Sequence, residues 1–187
     1  MNDWPVDFDG IAETVTFTRD PDGRWNVAAL GVRAGDPATA RTWGKTTTRR
    51  NFERTGRGVV AFVDDPVLFV EAALTERKAD STDLDGVAAA VTVTVEAVDR
   101  GRSDGTGWVD WSLEPRDGEV RRRSVPVTNR GFNAVVEMTV AASRLDVSVH
   151  DTATLEERLA YFEGVVETCG GDRERDALEL VRSVVDW

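Results

Sequence analysis

Val91, Val93 and Val95 alternate with Thr92, Thr94 and Glu96, and from Asn129 onward that period of two is replaced by a helical one. This single change of apolar period is the strongest constraint on the fold. Strands come first and helices after them, so the chain is expected to be α+β. The mostly β part is placed at residues 1–127 and a helical appendage of about three helices at 128–187, with no long linker and no repeat. At 187 residues the chain can hold one domain with a sizeable core, or one domain and a small appendage. A hydrophobic content of 41% with regular periodicity excludes general disorder.

The β part begins with alternation over residues 11–18, a turn at Asp20-Pro21-Asp22-Gly23 and a returning strand from Trp25 to Val32, which together predict a hairpin. Residues 58–63 form a short, wholly apolar run suited to a buried strand. Asp65 as N-cap and Pro66 at the first helical position then launch a helix to Leu74. Residues 87–98 form a strand. Residues 108–113 and 119–127 flank Pro115-Arg116-Asp117-Gly118, which predicts a second hairpin. In the helical part, Phe132, Val135, Val136, Val140 and Ser143 are expected to share a face. Thr154-Leu155-Glu156-Glu157 is expected to be a capping box opening a helix with Leu155, Leu159, Phe162 and Val166 inward, closed by Gly170-Gly171. Leu178, Val181 and Val185 mark a last helix.

The net charge is −11, Lys45 and Lys78 are the only lysines, and aspartate exceeds glutamate. Such a surface repels itself at low ionic strength and is relieved by screening at molar salt, so the expectation is a protein from a salt-loving archaeon, the alternative being an ordinary acidic mesophile protein. Charge of this sign argues against general nucleic-acid binding, which draws its affinity from neutralising phosphates. Cys169 is the only cysteine, so neither an intrachain disulfide nor a zinc cluster is available, and no metal site is expected. His150, the only histidine, stands in an Asp-flanked loop and does not suggest a nucleophilic triad. Asn2-Asp3-Trp4-Pro5 offers neither a basic start nor an apolar run, so the expectation is a cytoplasmic protein without a signal peptide or membrane span.

One segment runs against this acidity. Between residues 41 and 57, Arg41, Lys45, Arg49, Arg50, Arg54 and Arg57 face the single acid Glu53. Thr46-Thr47-Thr48 precedes Arg49-Arg50-Asn51 at what reads as the opening turn of a short helix ending at Gly56. Free backbone N–H groups, a positive dipole end and anion-pairing side chains coincide there. That combination is expected to hold a phosphate group. The alternative is an ordinary Thr-capped surface helix with solvated arginines.

Asn26 to Val32 in the first hairpin, the threonine-and-arginine loop ending Arg50-Asn51, the run Gly58 to Val70, and Asn129-Arg130-Gly131-Phe132-Asn133 through Glu137 together resemble the archaeal domain of unknown function 447 family. The resemblance spans nearly the whole chain. That family is similar to the flavin reductase and pyridoxamine-phosphate oxidase-like proteins, which implies an FMN-binding split β-barrel, FMN as cofactor, and a homodimer with FMN at the subunit interface. Thr48 and Asn51 match the Thr-x-x-Asn that lies at the cofactor phosphate in such proteins, with Lys45, Thr46, Thr47, Arg49 and Arg50 as neighbours. Asn26, Val27, Ala28, Ala29 and Leu30 match the strand whose backbone runs beside the isoalloxazine ring. The small Ala28 and Ala29 either permit that approach or merely face a crowded core. Residues 59–63 depart from flavin reductases, which often carry a polar residue there.

The resemblance implies an oxidoreductase of the flavin-reductase type, with a nicotinamide cofactor as electron donor. It leaves open a non-enzymatic flavin carrier or sensor, and a binding module for another phosphorylated ligand. No side chain stands out as a catalytic acid or base. Trp43, Trp108 and Trp111 are expected in core or interface packing rather than against a flavin. Arg121, Arg122 and Arg123 are expected on a solvated strand edge. Arg130 and Asn133 either cap the first C-terminal helix or line the cofactor cleft.

Overall fold

The computed structural model describes residues 4–147 and 149–187; Asn2 and Asp3, part of the start read above, lie outside them. The chain divides into two compact units. One runs to Asp64 and resumes over Glu76–Arg123, and the other takes Asp65–Thr75 and Ser124–Trp187.

The first unit is a closed antiparallel barrel of six strands with a seventh added to it. Its strands are β1 (Ile11–Arg19), β2 (Trp25–Arg33), β3 (Ala38–Trp43), β4 (Arg57–Val63), β5 (Arg77–Ala79), β6 (Val87–Ser103) and β7 (Thr106–Val120), and α1 (Thr47–Thr55) joins β3 to β4. Pairing runs β1-β4-β6-β7-β3-β2, and β2 returns to β1 to close the ring while β5 extends β2 beyond its contact with β3. Closure removes the strand edges that would otherwise leave backbone groups unpaired. Leu30, Val32, Val60, Val91, Val93, Val95, Val109, Trp111 and Leu113 fill the interior. The register sets Thr16 opposite both Ala28 and core residue Val60, so Thr14, Thr16 and Thr18 of β1 point inward.

The expected hairpin at 115–118 is not formed. β7 continues through Pro115 to Val120 as one strand, and residues 121–129 have no regular structure. The register steps from Val91–Gly118 to Val93–Pro115, so a bulge absorbs one extra residue of β7 beside a proline that has no N–H to give the ladder. The reversal lies instead at Asp104-Gly105, where φ is 49° and 82° and Ser103 pairs with Thr106. Two left-handed residues in a two-residue loop match the twist of the flanking strands, and Asp-Gly favours that conformation.

The second unit packs α2 (Pro66–Leu74), α3 (Arg130–Ala142), α4 (Thr152–Cys169) and α5 (Asp172–Val184) around Val70, Met138, Leu159, Val166, Leu178 and Val181. α2 begins as its residues dictate: Asp65 Oδ1 accepts the N–H groups of Val67 (2.8 Å) and Leu68 (3.0 Å). Two expectations are corrected. The inward face of α3 is Ala134, Val135, Met138, Ala141 and Ala142, while Phe132, Val136 and Val140 lie half-buried on its flank. Small side chains let neighbouring helices approach this face, so bulk was a poor guide to it. Residues 154–157 do not open α4, which starts at Thr152 with Asp151 as N-cap; Thr154 Oγ1 donates to Asp151 Oδ2 (2.6 Å) from inside the first turn. Leu155, Leu159 and Val166 are buried as expected, and Gly170 follows the last turn. Val185 lies just beyond α5 and is half-buried. Among the described residues no helix is long and apolar enough to cross a membrane.

Candidate functional site

Of the three consecutive threonines, Thr46 is the N-cap of α1, its Oγ1 accepting the N–H of Arg49 at 3.2 Å. Gly56 ends the helix at φ 61°, a left-handed conformation that glycine adopts without a Cβ penalty, and its N–H returns to Phe52 O. The backbone N–H groups of Thr47 and Thr48 therefore open a helix whose first turn contains no acid. Nine residues give α1 two faces. Thr48, Asn51 and Phe52 are buried, with the Phe52 ring 5.3 Å from that of Trp111 in the barrel core. Lys45, Thr46 and Arg50 are exposed and Thr47 is half-buried.

Geometry sorts the cations of residues 41–57. Arg41 is held in a two-pronged pair by Asp110 of β7 at 2.6 and 2.7 Å, which raises the arginine's pKa and holds the Asp110 carboxyl below the usual range. Glu53 is shared by Arg49 and Arg100, each at 3.2 Å. Arg54 donates to Arg19 O and to Asn51 Oδ1. Asp110 is a carboxylate that proximity in sequence did not offer this segment. Among the described residues no carboxylate pairs with Lys45, Arg50, Arg54 or Arg57; of these, Lys45 and Arg50 stand at the helix start, and Arg54 and Arg57 at its far end. Arg50 instead donates to Lys45 O (3.2 Å) and Thr47 Oγ1 (2.9 Å), folding over the helix start, while Arg49 ties down Gly44 O at 2.9 Å. Gly44 N in turn reaches Gly107 O on β7 at 2.7 Å. The result is a braced turn presenting N–H groups, hydroxyls and two uncompensated cations, a combination suited to an oxyanion such as phosphate.

On the buried face of α1, residues far apart in sequence meet. Asn26 Nδ2 of β2 donates to Thr48 Oγ1 (3.2 Å) and, more weakly, to Thr18 Oγ1 of β1 (3.5 Å). Asn51 Nδ2 donates to the same Thr18 Oγ1 at 3.0 Å. Thr18 is 0% exposed, Asn51 2% and Thr48 5%. Thr18 was missed by sequence reasoning, which took it as an ordinary β-branched strand residue. The available signal was its place in the alternating set Thr14, Thr16, Thr18.

The residues singled out from the sequence thus form two groups. Asn26, Thr48 and Asn51 interlock behind α1, and Lys45, Thr46, Thr47 and Arg50 surround its N-terminus. Along β2 the pleat sets Asn26 and Ala28 on the inward face with Val27 and Ala29 on the other, so a ligand beside this strand would meet its backbone rather than one side-chain face. Trp111 is core, donating Nε1–H to Thr42 Oγ1 at 2.9 Å. Trp43 and Trp108 are cross-strand partners, Arg41 lies 4.0 Å above the Trp108 ring, and Trp43 is 47% exposed. Arg121 and Arg122 follow β7 rather than lying on an edge strand, and are engaged by Glu119 (2.6 Å) and by Asp64 respectively. The cap of α3 is Asn129, whose Oδ1 accepts Gly131 N at 2.8 Å, and Arg130 and Asn133 are exposed in its first turn.

Comparison with known proteins bears on the fold and family. Residues 12–122 match the model described as the N-terminal domain of the protein of unknown function DUF447, and residues 129–183 match the model described as protein of unknown function DUF447. An FMN-bound DUF447 protein from Methanosarcina mazei is 25% identical, with a TM-score of 0.77 over 95% of this chain and 96% of that one. The styrene monooxygenase flavin reductase of Pseudomonas putida is 13% identical with a TM-score of 0.42, covering 64% of this chain and 93% of that one. Flavoredoxin from Methanosarcina acetivorans is 9% identical with a TM-score of 0.42, covering 62% and 72%. With a six-stranded barrel of the split-barrel type, a helical C-terminal part and family matches over both, the chain belongs to the DUF447 family.

Proposed function

We propose that this protein binds FMN, with the phosphate at the start of α1, and acts as an oxidoreductase through the bound flavin. The observation that carries the reading is the agreement in fold, along nearly the full length, with an FMN-bound member of the same family. The α1 turn supports it independently. Thr47 and Thr48 N–H groups, the Thr46 and Thr47 hydroxyls, Lys45 and Arg50 would hold a phosphate dianion that an otherwise acidic surface would repel. Asn26, Val27, Ala28 and Ala29 would lay their backbone along the isoalloxazine, and Thr48 and Asn51 would fix α1 against that strand through Asn26 and Thr18. When bound, the flavin itself supplies the hydride or electron transfer. The chain's own residues bind, orient and shield it.

A homodimer with the flavin at the subunit interface, a nicotinamide cofactor as donor and a cytoplasmic site of action complete the reading. The paucity of lysine and the charge of −11 support an archaeal, salt-loving source, for which the melting temperature rises from dilute buffer to molar KCl.

The test is a comparison of FMN with riboflavin by quenching of flavin fluorescence. FMN binds more tightly, and Lys45→Ala or Arg50→Ala weakens FMN about tenfold while leaving riboflavin nearly unchanged, as expected for the loss of one charge-assisted contact of about 1.5 kcal/mol. Equal binding of the two flavins would overturn the phosphate site. Anaerobic reduction of the bound flavin by NADH or NADPH separates an oxidoreductase from a flavin carrier or sensor.

A further inference from the structure

Behind the proposed phosphate turn, one buried hydroxyl joins the two halves of the site. Thr18 Oγ1 is the acceptor for Asn51 Nδ2 of α1 (3.0 Å) and for Asn26 Nδ2 of β2 (3.5 Å), and Asn26 Nδ2 also donates to Thr48 Oγ1 (3.2 Å). A hydroxyl has two acceptor lone pairs, so both amides can be accommodated at once. The far end of the Asn51 amide is fixed too, because its Oδ1 accepts Arg54 Nη2 at 3.4 Å. With the oxygen end so occupied, the NH2 end is directed at Thr18.

The chain of donors has a direction. Thr48 Oγ1 accepts from Asn26, and among the described residues no acceptor lies within hydrogen-bond reach of the Thr48 hydroxyl proton. On the buried face of α1, the Thr48 hydroxyl is thus the acceptor that ties the helix to Asn26. The position of Thr48 depends on Asn26, and the spacing of Asn26 from α1 depends on Thr18 and Asn51.

We infer that Thr18 is a positioning residue for anion binding at α1, acting through Asn51 and Asn26 rather than by touching the ligand. This inference rests on the FMN reading above. It assigns to β1, a strand not otherwise connected with the ligand, the setting of the α1 N-terminus against β2. Removing the hydroxyl lets α1 and Asn26 settle independently, and the loss falls on the phosphate rather than the ring.

The test uses the full chain with Thr18→Val, Thr18→Ser and Lys45→Ala, titrated with FMN and with riboflavin, and melted in parallel. Thr18→Val keeps the shape and removes the acceptor; it is expected to weaken FMN about tenfold and riboflavin less than about twofold, a selective loss that a merely structural role would not produce. Thr18→Ser restores the acceptor and the FMN preference. If Thr18→Val weakens both flavins equally, or if Ser fails to rescue, the positioning role is overturned and Thr18 is only part of the barrel's packing. If the wild type prefers FMN and Lys45→Ala loses that preference while Thr18→Val keeps it, the phosphate site stands and this inference alone falls. If the wild type binds FMN no better than riboflavin, the phosphate site falls and takes this inference with it.

Discussion

The two units bury polar groups for different purposes. Among the described residues of the helical unit the buried polar ones are Thr139 and Glu174, and both serve helix backbone or a helix cap. Thr139 Oγ1 donates to Val135 O one turn back at 2.7 Å, while Glu174 accepts Gly171 N at the start of α5 (2.8 Å) and Asn129 Nδ2 (3.1 Å). In the barrel unit, Thr14, Thr16, Thr18, Asp20, Thr42, Thr48, Asn51 and Ser112 are buried, and the set around α1 bonds side chain to side chain across β1, β2 and α1. Helix ends require partners wherever they are buried, whereas inter-element amide and hydroxyl networks trade apolar packing for a fixed geometry. The comparison sets a helical unit whose buried polar groups serve its helix ends against a barrel whose buried polar network lies behind the proposed ligand site at α1.

The largest expected effect tests the packing side of that comparison. Leu159 is fully buried among Met138, Leu155 and Val166, and Leu159→Ala is expected to cost about 2–5 kcal/mol through lost burial and the cavity left behind. Urea unfolding measures it. A cost below about 1 kcal/mol would mean that the helical core is loosely packed, and the contrast between the units would lose one side.

The same contrast explains which features were legible in the sequence. The Asp65-Pro66 start of α2, the Gly56 stop of α1 and the first hairpin rest on local backbone rules, and each was visible from a few adjacent residues. The second hairpin was misplaced because Pro115 and Gly118 carry turn chemistry that β7 absorbs in a bulge, while the less conspicuous Asp104-Gly105 makes the turn. β3 was not anticipated, since Ala38 to Trp43 borrows its strand character from pairing with β7. At the proposed site, the short Thr-capped helix and its basic residues could be read from Thr46-Thr47-Thr48 and Arg49-Arg50. The Arg41–Asp110 pair and the Thr18 junction could not, because their partners lie 69 and 33 residues away.

A pH experiment probes a buried polar group in the β1–β2 turn, two residues beyond Thr18. Asp20 accepts Lys78 Nζ at 2.7 Å and Arg24 N at 2.9 Å, and the lysine is the main cause of its lowered pKa. A depressed folded-state pKa means that the unfolded chain binds the proton more readily. The contribution of Asp20 is therefore present above the unfolded value of about 3.9 and is lost as pH falls through the lower folded value. Lys78, raised chiefly by the same bond, contributes below its unfolded value of about 10.4 and loses that contribution as pH rises through its folded value. Asp20→Asn should flatten both limbs relative to the wild type in thermal melts. Unchanged limbs would show that the pair adds nothing to stability.

The smallest effect is the most discriminating for the barrel interior. Thr16 is fully buried on the same inward stripe as Thr18, yet its Oγ1 has no hydrogen-bond partner, whereas Thr14 Oγ1 donates to Leu30 O at 2.6 Å. A buried hydroxyl without a partner bears a desolvation cost and returns nothing for it. Thr16→Val keeps the branched shape and removes that hydroxyl, so it should leave stability unchanged or raise it by up to about 1 kcal/mol, while FMN and riboflavin bind as before. Thr14→Val, which deletes a satisfied bond and strands no charged group, should cost about 1 kcal/mol. The ordering of the two in urea unfolding carries the argument: if Thr16→Val is the more costly, the Thr16 hydroxyl is engaged after all, and the division of the β1 threonines into one bonded to backbone, one idle and one positioning α1 would have to be redrawn.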